Sequence, residues 1–148
     1  MSDDPDPFDL QRFLEAQEGV YPRALAELKA GRKESHWIWF ILPQIEGLSS
    51  SATGLRYSIA SLEEAVAYLE HPVLGARLRE TVDAVNALQG RSARDVFGPD
   101  DVKFRSSLTL FHRAAPEDHR FSGALASYFA GEQDTATLQR LAATFGGR

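Results

Sequence analysis

The chain has 148 residues, 43% of them hydrophobic and 25% charged, which supplies one core and is too apolar for a disordered chain. A net charge of −5 argues against the concentrated cationic face that nucleic acid or an anionic membrane needs. With no cysteine, disulfides, thiolate catalysis and cysteine–zinc sites are excluded.

Residues 1–7 are acidic, lack the basic and apolar regions of a secretory signal, and read as a flexible N-terminal arm. No apolar run approaches the roughly 20 residues of a membrane span, so a cytoplasmic setting is expected. Asp9 is placed to cap a first helix with Leu10, Phe13, Leu14 and Gln17 on one face. A second helix has Pro22 in its first turn and Tyr21, Ala24, Leu25 and Leu28 in line, with Gly31 after its end. Arg32-Lys33-Glu34 reads as a solvated connector.

The most apolar stretch follows, from Ser35 to Gln44, and holds both tryptophans. Its apolar residues do not alternate, so it reads as a short buried helix ending before Pro43. Gly47 to Gly54, with three consecutive serines, reads as a loop. Ser61-x-x-Glu64 is a capping-box pattern ahead of Leu62, Ala65, Val66 and Leu69. Pro72 then opens a longer helix, to about residue 89, with Leu74, Leu78, Val82, Val85 and Leu88 on one arc. Ser92 caps a short helix over 93–97, closed by Gly98-Pro99. Asp100 or Asp101 caps the next, to about His112. Phe121, Leu125, Tyr128 and Phe129 mark another, and Asp134 caps the last, with Leu138, Leu141, Ala142 and Phe145 inward. No segment has a period of two, so the expectation is an all-α fold: a single compact domain over 8–146 with about eight short to medium helices.

Polar residues on apolar arcs are the functional signal. At 100° per residue, Phe104, Leu108 and Phe111 form a core stripe, with Asp101, Arg105 and Thr109 leaning away. Asp100, Lys103 and Ser107 fall beside the stripe, where a charge needs a partner or a ligand. An Asp100–Lys103 pair with a snorkelling lysine stem would satisfy that equally well. Arg77 sits at the edge of its helix's apolar arc and suits a phosphate, a carboxylate or a rim salt bridge. His36 beside Trp37 and Trp39 suits a titratable group at an aromatic wall, or a histidine tied to a backbone carbonyl. Gln44 offers a fixed amide to a ligand or to a loop carbonyl. Ser106 and Ser107 have no base nearby in sequence. Neither a metal-ligand pattern nor a glycine-rich phosphate loop nor a GxSxG elbow is present, so neither a metal nor a cofactor is expected.

Four blocks carry a resemblance: 35–44, Tyr57-Ser58-Ile59, 71–78, and 96–103 with 106–111. Together they resemble the bacterial family filed as domain of unknown function 1810, sometimes labelled calpastatin in genome annotation, over about residues 8–143. The resemblance implies a compact all-helical domain, as in a mycobacterial member, and no established activity. It also implies that the family pattern keeps polar residues at Ser35, His36, Gln44, Arg77, Asp100, Lys103, Ser106 and Ser107. Ile38, Phe104 and Leu108 stand where leucine or methionine is common in the family pattern, and each is a tolerable core exchange.

Two functional readings follow. In the first, Ser35, His36, Trp37, Trp39, Gln44, Arg77, Asp100, Lys103, Ser106 and Ser107 enclose an anionic, ring-bearing small molecule such as a nucleotide or an ADP-ribose-like compound. His36 and Asp100 are then the candidate bases for a hydrolytic step. His36 and Lys103 are expected to converge on one half-buried hollow. In the second, the chain is a non-enzymatic helical protein-interaction module and the same residues are internal ties. A nucleic-acid partner ranks below both, because Arg91, Arg94, Arg105 and Arg113 are scattered among acids.

Overall fold

A computed structural model describes residues 5–146, with side chains described as far as residue 143. The chain is all-helical, as expected. In order, α1 spans Gln11–Gln17, α2 Tyr21–Lys29, α3 Ile38–Ile41, α4 Ala52–Arg56 and α5 Leu62–Glu70. Then come α6 Leu74–Asn86, α7 Ala93–Phe97, a 3₁₀ turn Gly98–Asp100, α8 Asp101–Ala114, α9 His119–Phe129 and α10 Thr135–Gly146. Among the described residues the only extended pairing is an isolated parallel bridge between Ile45 and Ile59.

α8 is the axis of the core. α5, α7, α9 and α10 all pack on it, so it is buried on more than one side. Phe104, Leu108, Leu110 and Phe111 are buried, but so are Ser106, Ser107 and Thr109. A single-stripe projection therefore misplaces Thr109, which faces α10. Its hydroxyl donates to the Arg105 carbonyl and accepts from the Asp134 N–H at 2.8 Å. Phe104 stacks on Phe97 at a centroid distance of 4.2 Å and meets Tyr128 edge-on at 6.2 Å and Phe129 at a tilt at 6.0 Å. Burying such rings contributes about 2–3 kcal/mol each.

Several caps match the sequence reading. Ser92 and Asp95 form a reciprocal capping box on α7, and Asp134 accepts from the Thr137 N–H at the start of α10. Ser61 accepts from the Glu64 N–H, while Glu64 accepts from the Ala60 N–H. α3 stops at Leu42, which leaves helical geometry at φ −129° and ψ 72° ahead of Pro43.

Other caps differ. α1 is capped by Asp6, whose carboxylate takes the Leu10 and Gln11 N–H groups at 2.7 and 2.9 Å. Asp9 instead turns at φ 52°. Of the expected arm, residues 1–4 lie outside the described residues. The serine-rich loop is shorter than expected, because Ser51 caps α4 by accepting from the Gly54 N–H at 3.0 Å. α6 begins at Leu74, where the His71 imidazole accepts at Nδ1 from the Val73 and Leu74 N–H groups. The expected inward placement of Phe145 falls outside the described side chains.

Candidate functional site

The stretch from Lys33 to Gln44 is held in place by two groups that the sequence reading passed over. Glu27, buried on α2, accepts four hydrogen bonds from it. The donors are the Glu34 N–H at 2.9 Å, the Ser35 N–H at 3.1 Å, the Ser35 hydroxyl at 2.5 Å and the Trp37 indole N–H at 2.8 Å. Burial alone would push this carboxyl up. The hydrogen bonds, the Ser35 hydroxyl first, outweigh it and pull the pKa from 4.5 down to about 2. Lys33 is the second group. Its side chain is 6% exposed, donates to the Ser35 carbonyl at 2.7 Å and pairs with Asp100 at 2.9 Å. Its backbone N–H reaches the Val96 carbonyl at 2.7 Å, which ties the loop to α7. The connector is therefore a packed element and not a solvated one.

Asp100 does not cap α8. Its Oδ2 faces Lys33 and its Oδ1 faces Lys103 at 3.2 Å. Burial works to raise this carboxyl, but the hydrogen bonds and charges of Lys33 and then Lys103 hold it below the usual aspartate range. The two lysines are not equivalent. Lys33 is enclosed and has a second acceptor, whereas Lys103 is 33% exposed and has Asp100 as its hydrogen-bond partner. Lys103 can thus swing to an incoming anion while Asp100 stays neutralised by Lys33.

Two hollows open around this cluster. The first, of about 560 Å³, lies between the α3–Gln44 segment, the serine loop 49–51 and the first turns of α8 and α10. Trp39, Gln44, Lys103 and Ser106 line it. The Gln44 amide makes no hydrogen bond among the described residues, and the Ser106 hydroxyl donates to the Val102 carbonyl, leaving its lone pairs open. Arg140 on α10 donates to the Glu46 carbonyl at 3.1 Å, which ties α10 to the segment after Gln44. The second hollow, of about 660 Å³, lies between loop 32–36 and the α7–3₁₀ corner, with Arg32, His36, Trp39, Arg94 and Asp100 in its lining. The corner itself turns at Gly98, φ 58° and ψ −135°, a conformation that a side chain would strain.

His36 and Lys103 therefore do not meet in one hollow. They line adjacent ones that share the half-buried Trp39, and Asp100 lines the second hollow with His36 while pairing with Lys103 of the first. Other candidates stand apart from both. Trp37 is fully buried under the Lys33 ammonium, 5.1 Å from its ring, so it offers no stacking face. Ser35 is consumed by Glu27 and Lys33. Arg77 lies on α6 against the Tyr21 ring and donates to Gln17, which in turn donates to the Phe40 carbonyl and the Tyr68 hydroxyl. It is committed because Gln17 is buried and needs every bond. Ser107 is buried in the core, lines neither hollow and has no hydrogen-bond partner for its hydroxyl among the described residues.

The chemistry open to this arrangement is binding more than proton transfer. An aspartate held ionised by two ammoniums is a weak base, and exposed His36 has no group among the described residues to orient its ring. No group of three or more His, Asp or Glu side chains is placed to hold a metal ion among the described residues. No helix of the described residues is long and apolar enough to cross a membrane.

The conserved hypothetical protein Rv1873 from Mycobacterium tuberculosis, known from a crystal structure, is 52% identical, with a TM-score of 0.91 over 93% of this chain and 99% of that one. No curated protein matches. Residues 7–141 match the model described as "Protein of unknown function (DUF1810)", and the chain belongs to that family.

Proposed function

We propose that the protein binds a small anionic, ring-bearing molecule of nucleotide-like or ADP-ribose-like chemistry in the first hollow. The observation that carries this reading is the pairing of half-buried Trp39 with Lys103 on one hollow, the lysine held by a carboxylate that a second lysine already neutralises. The ring stacks on Trp39, where base–aromatic contact contributes about 1–3 kcal/mol. The Gln44 amide, with one donor and one acceptor side, addresses the ring edge or a sugar hydroxyl. Lys103 meets the anion as a mobile point charge. Binding is the proposal, and hydrolysis is not, because the site lacks an oriented base.

Calorimetric titration with AMP, ADP and ADP-ribose tests it. Trp39→Ala and Lys103→Ala are each expected to weaken binding about tenfold, and Lys103→Ala also to flatten the salt dependence. Wild-type affinity in both variants, or no heat from any of the three compounds, contradicts the proposal.

A further inference from the structure

The second hollow has its own unspent charge. Arg32 and Arg94 both line it, both are exposed, and neither guanidinium has a hydrogen bond or ion pair among the described residues. The acids beside them are mostly engaged. Asp95 accepts from the Ser92 N–H at 2.9 Å in the α7 capping box, and Asp100 is held by two lysines. Glu34 alone has a side chain without a partner there. Two unpaired guanidiniums thus line the hollow beside the unpaired Glu34 carboxylate and the Asp95 carboxylate, whose bonds are to the α7 cap and not to a cation, and the guanidinium fork matches phosphate oxygens two at a time.

The two hollows also adjoin. Trp39 lines both, and the Asp100–Lys103 pair spans the boundary, with Lys103 on one side and Asp100 on the other. A chain of phosphates leaving a ring in the first hollow passes Lys103 and enters the second. Asp100 does not bar the way, because Lys33 stays on its Oδ2 when Lys103 turns to the ligand.

We infer that both hollows form one extended site for a nucleoside carrying a di- or triphosphate chain, with its ring on Trp39, its first phosphate at Lys103 and its terminal phosphate between Arg32 and Arg94. This rests on the ligand reading given above and deepens it from an anionic ring compound to a polyphosphate.

The test is titration of the full chain, in buffer without divalent metal, with adenosine, AMP, ADP and ATP, and with the guanine series beside them. Affinity is expected to climb about tenfold from AMP to ATP. The Arg32→Ala/Arg94→Ala double variant is expected to lose that gain while keeping AMP affinity within about twofold. Its melting temperature stays at the wild-type value, since neither side chain has a partner to lose. Glu34→Gln is expected to tighten ATP severalfold and leave AMP unchanged. AMP binding as tightly as ATP, or a gain that survives in the double variant, overturns this inference and leaves the binding site in the first hollow standing. No binding of any nucleotide overturns both.

Discussion

Glu27→Ala is expected to destabilise the protein by about 3–5 kcal/mol and to lower its melting temperature by about 10 °C. The carboxylate is 7% exposed and takes four hydrogen bonds from the segment 34–37. Removing it strands the buried Trp37 indole N–H and two backbone N–H groups, each of which costs about 1–3 kcal/mol when left unsatisfied. The loop that carries His36 and leads into Trp39 loosens with it, so ligand affinity falls as well as stability. Acid has the same target. Because the folded-state pKa is depressed from 4.5 to about 2, the contribution is complete above about pH 4.5 and is lost as pH falls toward 2. That component amounts to roughly 3 kcal/mol at most. Urea unfolding from pH 7 down to pH 3 should show it in the wild type and not in Glu27→Gln. Identical pH profiles for the two proteins contradict the role given to Glu27.

Arg12→Ala is expected to cost about 3–5 kcal/mol, again by leaving buried groups without partners. One guanidinium ties three parts of the chain. Its Nε donates to the Arg56 carbonyl at 2.8 Å, Nη1 to the Phe8 and Asp9 carbonyls at 2.7 and 2.8 Å, and Nη2 to the Ser58 carbonyl at 2.8 Å. Nη2 also pairs at 2.8 Å with Glu64, whose side chain is 3% exposed. Arg12→Lys keeps the charge but not the planar fork, so it is expected to recover less than half of the loss. A double-mutant cycle with Glu64→Ala in urea unfolding should return a coupling above about 1 kcal/mol. Additive effects would mean that the pair is a bystander.

The helical architecture was legible because its signals are local. The Ser92 box, the Asp134 cap and the stop at Pro43 each act within a few residues of where they stand in sequence. What was not legible depends on which sides of a helix are covered. Projection marks one apolar stripe, so it cannot foresee that α8 is enclosed from several directions and that Thr109 and Ser107 are core residues. The lining of the two hollows was half legible for the same reason. Lys103, Asp100, Gln44 and Trp39 do surround hollows, but Trp37 and Arg77 show the same polar-beside-apolar pattern and are spent on Glu27 and Gln17. Glu27 did leave a trace, a carboxylate one turn beyond Ala24 on a buried stripe. Lys33 left none, since a loop has no periodicity against which a buried lysine stands out.

On the proposed function, Trp39, at the boundary of the two hollows, is the surface on which a ligand lands. Nuclear magnetic resonance of the ¹⁵N-labelled protein during addition of ADP addresses this directly, because the two indole N–H signals report on different places. The Trp39 indole and the backbone amides around Lys103 are expected to shift, while the Trp37 indole, bonded to Glu27 in the core, stays where it was. A Trp39 signal that does not move at saturating ADP, or shifts gathered around Arg77 instead, would contradict the account.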